Sequence, residues 1–180
     1  MAFWKMAAML TVAMAGTQSS AAPVKAVLSV DLDRYLGRWF EIARFDNRFQ
    51  RKCAGEVTAE YAKRSDGRLD VVNRCRLASG EMTTAAGVAR IVDPATRSTL
   101  KVRFAPAFLS WIPAVWGDYW IIGLADDYSW AVVGTPDHEY LWVLSRTAAM
   151  EPTQYRRALD IARANGFDEG RLRLTTQSKK

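Results

Sequence analysis

The chain has 180 residues, which is enough for one well-buried core and short for two. Its composition, 49% hydrophobic and 24% charged, is that of a globular protein and excludes a disordered chain. The formal net charge is +6, but Lys and Arg are scattered, so the sequence predicts a solvated basic surface and no nucleic-acid partner.

The N-terminus has the pattern of a secretory signal peptide. A short basic start with Lys5 precedes the apolar run 6–15, and small residues around Ala21 then offer a cleavage site. We expect residues 1–21 to be removed and the mature chain to be exported. No Cys stands near the expected cleavage site, so we expect no N-terminal lipid anchor.

Short segments with strand character then follow one another, separated by turn residues. Strands are predicted at 39–45, 57–64, 69–75, 82–92, 100–104, 118–124, 130–134 and 140–145. In 100–104 the alternation places Leu100, Val102 and Phe104 inward and Lys101 and Arg103 outward. Eight consecutive strands joined mostly by tight turns predict an all-β, up-and-down antiparallel barrel that can hold one small ligand.

One helix is predicted after the strands. Residues 151–167 contain Pro152, which suits a first turn, and Asn165-Gly166, which suits a C-terminal stop. The apolar stripe of Tyr155, Ala158, Leu159 and Ala162 predicts packing on the outside of the barrel. The chain is therefore predicted as one domain, residues 25–174, with a polar tail at 175–180.

The stretch YLGRWFEIARFDNRF, which begins at Tyr35, resembles the first motif of the lipocalins, Gly-x-Trp. The segments TAEYAKRSDGRLDVVN and GTPDHEYLWVLSRT and the helix with NGFD continue the likeness over nearly all of the mature chain. The longer form resembles the bacterial outer-membrane lipocalins and the apolipoprotein D branch. The resemblance implies a structural closed end in which Arg146 packs across Trp39, with Gly37 allowing close backbone approach.

The same topology assigns the loops to the two ends of the barrel. Residues 46–55, the loop after Cys75, 105–117 and 135–139 fall at the open end. Cys53 and Cys75 therefore lie at one end, and in an exported protein an even count of cysteines favours a disulfide between them.

Alternation along the strands predicts an apolar and aromatic interior with few polar groups. The predicted ligand-binding residues are Tyr61, Asn73, Val102, Phe104, Tyr119, Tyr140 and Trp142. The alternative is that these side chains fill a core without a ligand. The resemblance implies a fatty acid or a lysophospholipid as ligand and a periplasmic location.

The loop 105–117 is unusually apolar. It carries Phe108, Trp111 and Trp116, which suit either a contact with the outer membrane or a lid over the barrel. The sequence does not decide between these two. We expect a monomer or a weak dimer.

Chemistry-bearing residues are few. One hypothesis is that Cys53 acts as a nucleophile and His138, the only His, acts as its base. Such a pair would make the chain a lipid-modifying or isomerising enzyme. An inward carboxylate is predicted at Glu41, and Arg44, Arg48 and His138 are candidates for head-group contacts. We expect a carrier rather than an enzyme, with no cofactor and no metal site. The carrier and the enzyme differ in whether a bound lipid is turned over, and an interaction module that docks a protein partner is a third hypothesis.

Overall fold

A computed structural model of the protein describes residues 22–178. The predicted signal peptide, residues 1–21, lies outside the described residues. In the part that is described, no helix has the length and apolar character needed to cross a membrane.

Eight antiparallel strands close into a barrel. They are β1 (Gly37–Phe45), β2 (Cys53–Lys63), β3 (Leu69–Leu77), β4 (Met82–Ile91), β5 (Thr99–Arg103), β6 (Gly117–Leu124), β7 (Trp130–Gly134) and β8 (Leu141–Ser145). Each strand pairs with the next, and β1 pairs with both β2 and β8, which closes the sheet. The predicted fold class is confirmed.

The start of β2 differs from the prediction. The strand begins at Cys53, whereas the alternation in the sequence begins only at Val57. The register against β3 shifts twice between Cys53 and Thr58, and Glu56 has a positive φ of 55°. The bulged backbone breaks the period-two pattern, so the sequence does not indicate that the first residues of this strand, before Val57, are extended.

Two helices and a short ninth strand accompany the eight barrel strands: α1 (Leu32–Tyr35), α2 (Pro152–Ala164) and β9 (Leu172–Leu174). The sequence predicted α2 but not α1 or β9. Asp31 caps α1 by accepting hydrogen bonds from the backbone N–H groups of Asp33 and Arg34. A helix of four residues has no apolar periodicity from which it could be predicted.

The barrel has apolar clusters on both sides of its wall. The inner cluster is Val30, Tyr35, Trp39, Tyr61, Leu69, Val71, Ala89, Leu100, Ile121, Ala131, Val133 and Leu144. The outer cluster lies under α2 and contains Ala43, Phe45, Ile122, Trp130, Val132, Leu141, Val143, Ala158, Ala162 and Phe167. Because β7 is covered on both faces, all five of its residues are buried.

A bulge in β1 changes which side chains face the interior. The register with β8 shifts between Glu41 and Ala43. Glu41 pairs with Leu144 of the inner cluster, whereas Ala43 pairs with Val143 of the outer cluster. The bulge therefore leaves a carboxylate on the interior side and turns the end of β1 toward α2.

The C-terminal segment 172–178 completes the wall between β1 and β2. These strands pair directly only from Gly37 to Phe40, and β9 pairs with β1 beyond that point. The amide of Glu56 donates to the carbonyl of Thr176 at 2.8 Å, and the Gln177 side chain donates to the carbonyls of Glu41 and Val57 at 2.8 and 2.9 Å. The segment thus bridges the two strands where they separate.

Candidate ligand-binding site

Arg146 and Trp39 close one end of the barrel. The guanidinium carbon of Arg146 lies 3.8 Å from the centre of the Trp39 ring. The same guanidinium donates to the carbonyls of Arg34 at 2.6 Å and Arg38 at 2.9 Å. Gly37 has a φ of +87°, a left-handed conformation that glycine adopts without steric cost. Burial lowers the pKa of Arg146 from its ordinary value, although desolvation does not remove the charge of an arginine.

Three tyrosines form a floor above this closed end. Tyr61 donates to the hydroxyl of Tyr119 at 2.8 Å, and the Tyr119 hydroxyl is also 2.8 Å from that of Tyr35. Tyr35 comes from α1, and its carbonyl accepts a hydrogen bond from the Trp39 indole at 2.8 Å. We call Tyr35, Tyr61 and Tyr119 the tyrosine trio. It spans the barrel from β2 to β6 and packs the interior at that level.

The trio is neutral over the physiological range. Burial raises the pKa of Tyr61 to about 12 and raises the pKa values of Tyr35 and Tyr119 well above their ordinary value. The site therefore offers hydroxyl donors and acceptors at its floor and no charge.

Above the trio, one wall carries small residues and Asn73. Val71 pairs with Gly87, and Asn73 pairs with Ala85. A Cβ at Gly87 would lie 2.7 Å from the Phe104 ring, so this glycine admits the ring of Phe104 against the sheet. Phe104 is 45% exposed and Val102 is half-buried, which places Phe104 nearer the mouth.

The opposite side of the mouth is aromatic. The rings of Tyr140 and Trp142 are stacked with centroids 5.8 Å apart, and Phe49 lies 5.7 Å from Tyr140. The Trp142 indole donates to Oε1 of Gln50 at 3.0 Å. These contacts hold the loop 46–52 against two predicted ligand-binding residues, Tyr140 and Trp142.

Glu41 ties this loop to the C-terminal segment. Its buried carboxylate accepts from Arg44 at 2.6 Å, from Gln50 at 2.5 Å and from Thr175 at 2.5 Å. Arg44 and Glu41 are both mostly buried, so the two charges neutralise each other in a largely dry setting. The predicted inward carboxylate is hydrogen-bonded rather than free.

A polar groove runs beside the mouth. It has a volume of about 430 Å³ and is lined by Arg44, Asp46, Asn47, Arg48, Gln50 and Arg51. Two of the sequence candidates for head-group contacts, Arg44 and Arg48, come together here. The groove has the charge to attract an anionic group at the edge of the barrel.

His138, the third head-group candidate, is not part of this groove. Its Nε2 lies 2.9 Å from the carbonyl of Asn165 and 3.1 Å from that of Ala22, and its ring is 4.8 Å from that of Phe167. His138 therefore packs at the C-terminal end of α2, on the outer side of the wall.

Cys53 and Cys75 form a disulfide, with Cα atoms 5.6 Å apart. The predicted pairing is confirmed. The bond fastens the end of the loop 46–52 to β3, two residues beyond Asn73 on the same face of that strand. It also removes the thiol that a nucleophilic role for Cys53 would need.

The apolar loop between β5 and β6 divides into an exposed part and a packed part. Phe108 and Trp111 are 75% and 78% exposed. Trp116 is half-buried: its indole donates to the carbonyl of Ser110 at 2.8 Å, and the guanidinium groups of Arg90 and Arg103 lie 4.7 and 5.3 Å from its ring. Arg103 points outward but is buried, because Trp116 covers it on the outer side of the wall.

A family model for a lipocalin-like domain matches residues 30–177. The chain is a lipocalin. It is 40% identical to temperature-induced lipocalin-1 of Arabidopsis thaliana over 157 residues, 86% of this chain and 83% of that protein. It is also 40% identical to the outer membrane lipoprotein Blc of Escherichia coli over 146 residues, 81% of this chain and 78% of that protein.

More distant relatives agree with this assignment. Apolipoprotein D of Mus musculus is 29% identical over 157 residues, 82% of this chain and 77% of that protein. The structure of insecticyanin from the tobacco hornworm Manduca sexta superposes with a TM-score of 0.68 and 19% identity, covering 89% of this lipocalin and 87% of that chain. The predicted family is confirmed, and it is a family of proteins that bind small hydrophobic ligands.

Two contributors to the site were missed by sequence reasoning. Tyr35 completes the floor but belongs to the short helix α1, and Gln50 joins Trp142 to Glu41 from within a loop. Neither lies in a periodic segment, so no pattern indicated them. Among residues 22–178, no group of three His, Cys, Asp or Glu side chains is placed to hold a metal ion.

Proposed function

We propose that this lipocalin binds a fatty acid or a lysophospholipid and carries it in the cell envelope. One observation supports this most directly. Ala85 faces the interior through its pairing with Asn73, and yet it is exposed. Solvent therefore reaches the inner face of β4 above the tyrosine trio.

The walls of this open part suit an acyl chain. Val102, Phe104, Tyr140 and Trp142 offer apolar and aromatic surface, and each methylene buried there contributes about 0.8 kcal/mol. A chain of ordinary length thus gains enough from burial to offset the loss of its flexibility.

The polar groove suits the other end of such a ligand. Arg48 and Arg51 line it together with Arg44, whose charge is already neutralised by Glu41. The one carboxylate in the lining, Asp46, is paired with Arg173 at 3.7 Å. A carboxylate or a phosphate placed here would meet two further guanidinium groups while the chain enters the barrel.

The cell-envelope location rests on two supports. The bacterial relatives bear the name outer membrane lipoprotein, and the N-terminus of this chain has the pattern of a signal peptide. We propose a periplasmic protein, monomeric or weakly dimeric, that touches the outer membrane through Phe108 and Trp111. Their exposure favours this contact over a closed lid.

The alternative of a lipid-modifying enzyme depended on Cys53 and His138. Cys53 is held in a disulfide, and His138 packs against the end of α2. Because no observation supplies another nucleophile and base, we keep the carrier as the proposed function.

Mass spectrometry of co-purified lipid tests the proposal. The precursor is expressed so that it is exported, purified without detergent and extracted with organic solvent. We expect one class of acyl lipid at a stoichiometric level in the wild type, and its loss in a Trp142→Glu variant. Leu28→Glu is the matched control, because Leu28 is 93% exposed and lies apart from the mouth. An empty extract together with no uptake of added fatty acid or lysophospholipid would overturn the carrier assignment.

A further inference from the structure

Asn73 is a polar residue on the inner wall of the barrel. β3 pairs with β4 without interruption from Leu69 to Arg76, so alternate side chains of β3 stay on one face. Leu69 and Val71 belong to the inner cluster. Asn73, two residues after Val71, therefore also faces the interior.

The side-chain oxygen of Asn73 lacks a partner. Oδ1 is buried and accepts no hydrogen bond from the described residues. Buried polar atoms in folded proteins nearly always have a hydrogen-bond partner, because an unpaired one keeps its full desolvation cost. A partner from outside the chain would remove that cost.

Small residues on the neighbouring strand leave the surroundings of Asn73 thinly covered. The facing positions on β4 hold Ala85, Gly87 and Ala89, which are all small. The Phe104 ring covers Gly87, whereas Ala85 remains exposed. The neighbourhood of Asn73 is thus reached from the open end of the barrel.

The tyrosine trio adds a second unpaired group to the same interior. Its three hydroxyls carry three protons, but only two hydrogen bonds join them. One O–H donor is therefore left over within the trio. Tyr61 pairs with Val71, so the trio lies about 7 Å along β3 from Asn73, at the usual rise of about 3.3 Å per residue.

We propose that Asn73 binds a hydroxyl group on the buried part of the ligand, so that the site selects an oxygenated acyl chain over a plain hydrocarbon chain. This inference rests on the proposed function and names its ligand class more closely. A hydroxyl both donates and accepts, so it satisfies an amide in either orientation of the side chain. A plain methylene beside Asn73 would exclude water and leave the amide unpaired.

Binding of matched fatty acids tests the proposal. Decanoic, dodecanoic and hexadecanoic acid are each compared with their ω-hydroxy counterparts by calorimetry on delipidated protein. For the chain length that brings the hydroxyl to Asn73, we expect the hydroxylated acid to bind at least about fivefold more tightly, the worth of one hydrogen bond.

Two variants assign the effect to Asn73. In Asn73→Leu we expect the preference to reverse in favour of the plain acid, with no loss of thermal stability in the ligand-free protein, because an unpaired polar group is replaced by an apolar one. In Thr83→Val, which alters the neighbouring inner pair with Cys75, we expect the preference to remain.

Three results would overturn the inference. Weaker binding of every hydroxylated acid than of its parent in the wild type would exclude the selection while leaving the carrier function intact. An unchanged preference in Asn73→Leu would move the contact away from this residue. Failure of all six acids to bind would overturn this inference and the proposed fatty-acid ligand together.

Discussion

Tyr61 and Tyr119 stand on different walls of the barrel, on β2 and β6, and yet their hydroxyl oxygens lie 2.8 Å apart. Tyr35 joins them from below at the same distance from Tyr119. The trio therefore packs the interior at this level, and the ligand space proposed here lies above it.

The trio should contribute measurably to stability through its central member. In Tyr119→Phe both hydrogen bonds are lost and two buried hydroxyls remain, so we expect the free energy of unfolding to fall by about 2 kcal/mol. Tyr61→Phe removes only one bond and should cost about 1 kcal/mol. Urea unfolding measures both, with Tyr155→Phe as a control outside the trio. Equal losses for Tyr119→Phe and Tyr155→Phe would contradict the assigned role.

Alkaline pH should destabilise the protein through the same residues. Burial raises the pKa of Tyr61 to about 12, whereas an unfolded tyrosine titrates near its ordinary value of about 10. Below about pH 10 both states hold the proton, and above it only the folded state does, so stability is lost as the pH rises from about 10 toward 12.

The slope of this loss can be measured. Each buried tyrosine lowers the free energy of unfolding by about 1.4 kcal/mol per pH unit in that window. We expect Tyr61→Phe to reduce the slope measured by urea unfolding between about pH 10 and 11. Absorbance of tyrosinate in the folded wild type should show that the hydroxyls of the trio resist titration in the same range, and burial also raises the pKa of Tyr155. A pH-independent stability would contradict the neutral, buried trio.

The sequence predicted the barrel because alternation and turns are local signals. Val71, Asn73 and Trp142 were placed on the inner face by parity alone, and the uninterrupted pairing of β3 with β4 preserves that parity. The hydroxyl contacts of Tyr119 could not be predicted, because they join residues 84 and 58 positions apart in the chain. Distances across a barrel depend on its shear, which no local pattern records.

The C-terminal segment shows the same limit. Thr175 and Gln177 were assigned to a polar tail because they are hydrophilic, but they hydrogen-bond into the opening between β1 and β2. Polar side chains satisfy backbone groups that a separating strand pair leaves unpaired. The gap opens because β1 bulges after Glu41 and leaves β2. The sequence does not indicate this bulge, so it could not indicate that the C-terminal segment fills the gap.

Removing the Gln177 side chain should loosen this part of the wall. Gln177→Ala deprives the carbonyls of Glu41 and Val57 of their donor, so we expect the free energy of unfolding to fall by about 1–2 kcal/mol and the amides of Glu56 and Thr175 to exchange faster. Ser178→Ala is the matched control, since Ser178 donates only through its backbone amide. The same amide exchange rates in both variants would show that the hydrogen bonds of the Gln177 side chain do not stabilise this part of the wall.

The disulfide should stabilise the mouth and the whole fold. Cys53 and Cys75 are 22 residues apart, and closing a loop of that length contributes about 3 kcal/mol in the chain-entropy model. We expect the Cys53→Ser, Cys75→Ser double variant to lose about that amount in urea unfolding. Reductant should lower the wild type to the level of the variant and leave the variant unchanged. Two free thiols in exported, unreduced protein would contradict the pairing.

The exposed aromatic side chains of the loop between β5 and β6 should mediate membrane contact. Phe108 and Trp111 expose apolar surface to water, and its burial is favourable. An indole such as that of Trp111 also prefers the membrane interface. The chain is also basic, with a formal net charge of +6, which draws it toward anionic lipid. We expect Phe108→Ser, Trp111→Ser to bind vesicles of phosphatidylethanolamine and phosphatidylglycerol at least about tenfold more weakly than the wild type.

The control for this prediction is Leu28→Ser, because Leu28 is 93% exposed but lies beside the segment that bonds to Thr96 at the closed end. Loss of a large exposed apolar side chain there should leave vesicle binding unchanged. If both variants lose affinity for the vesicles equally, any exposed apolar side chain contributes to binding, and the loop between β5 and β6 has no special role. If neither does, the loop is not the membrane contact. Because Trp116 packs against Arg90 and Arg103, its replacement would disturb the wall and cannot serve as the test.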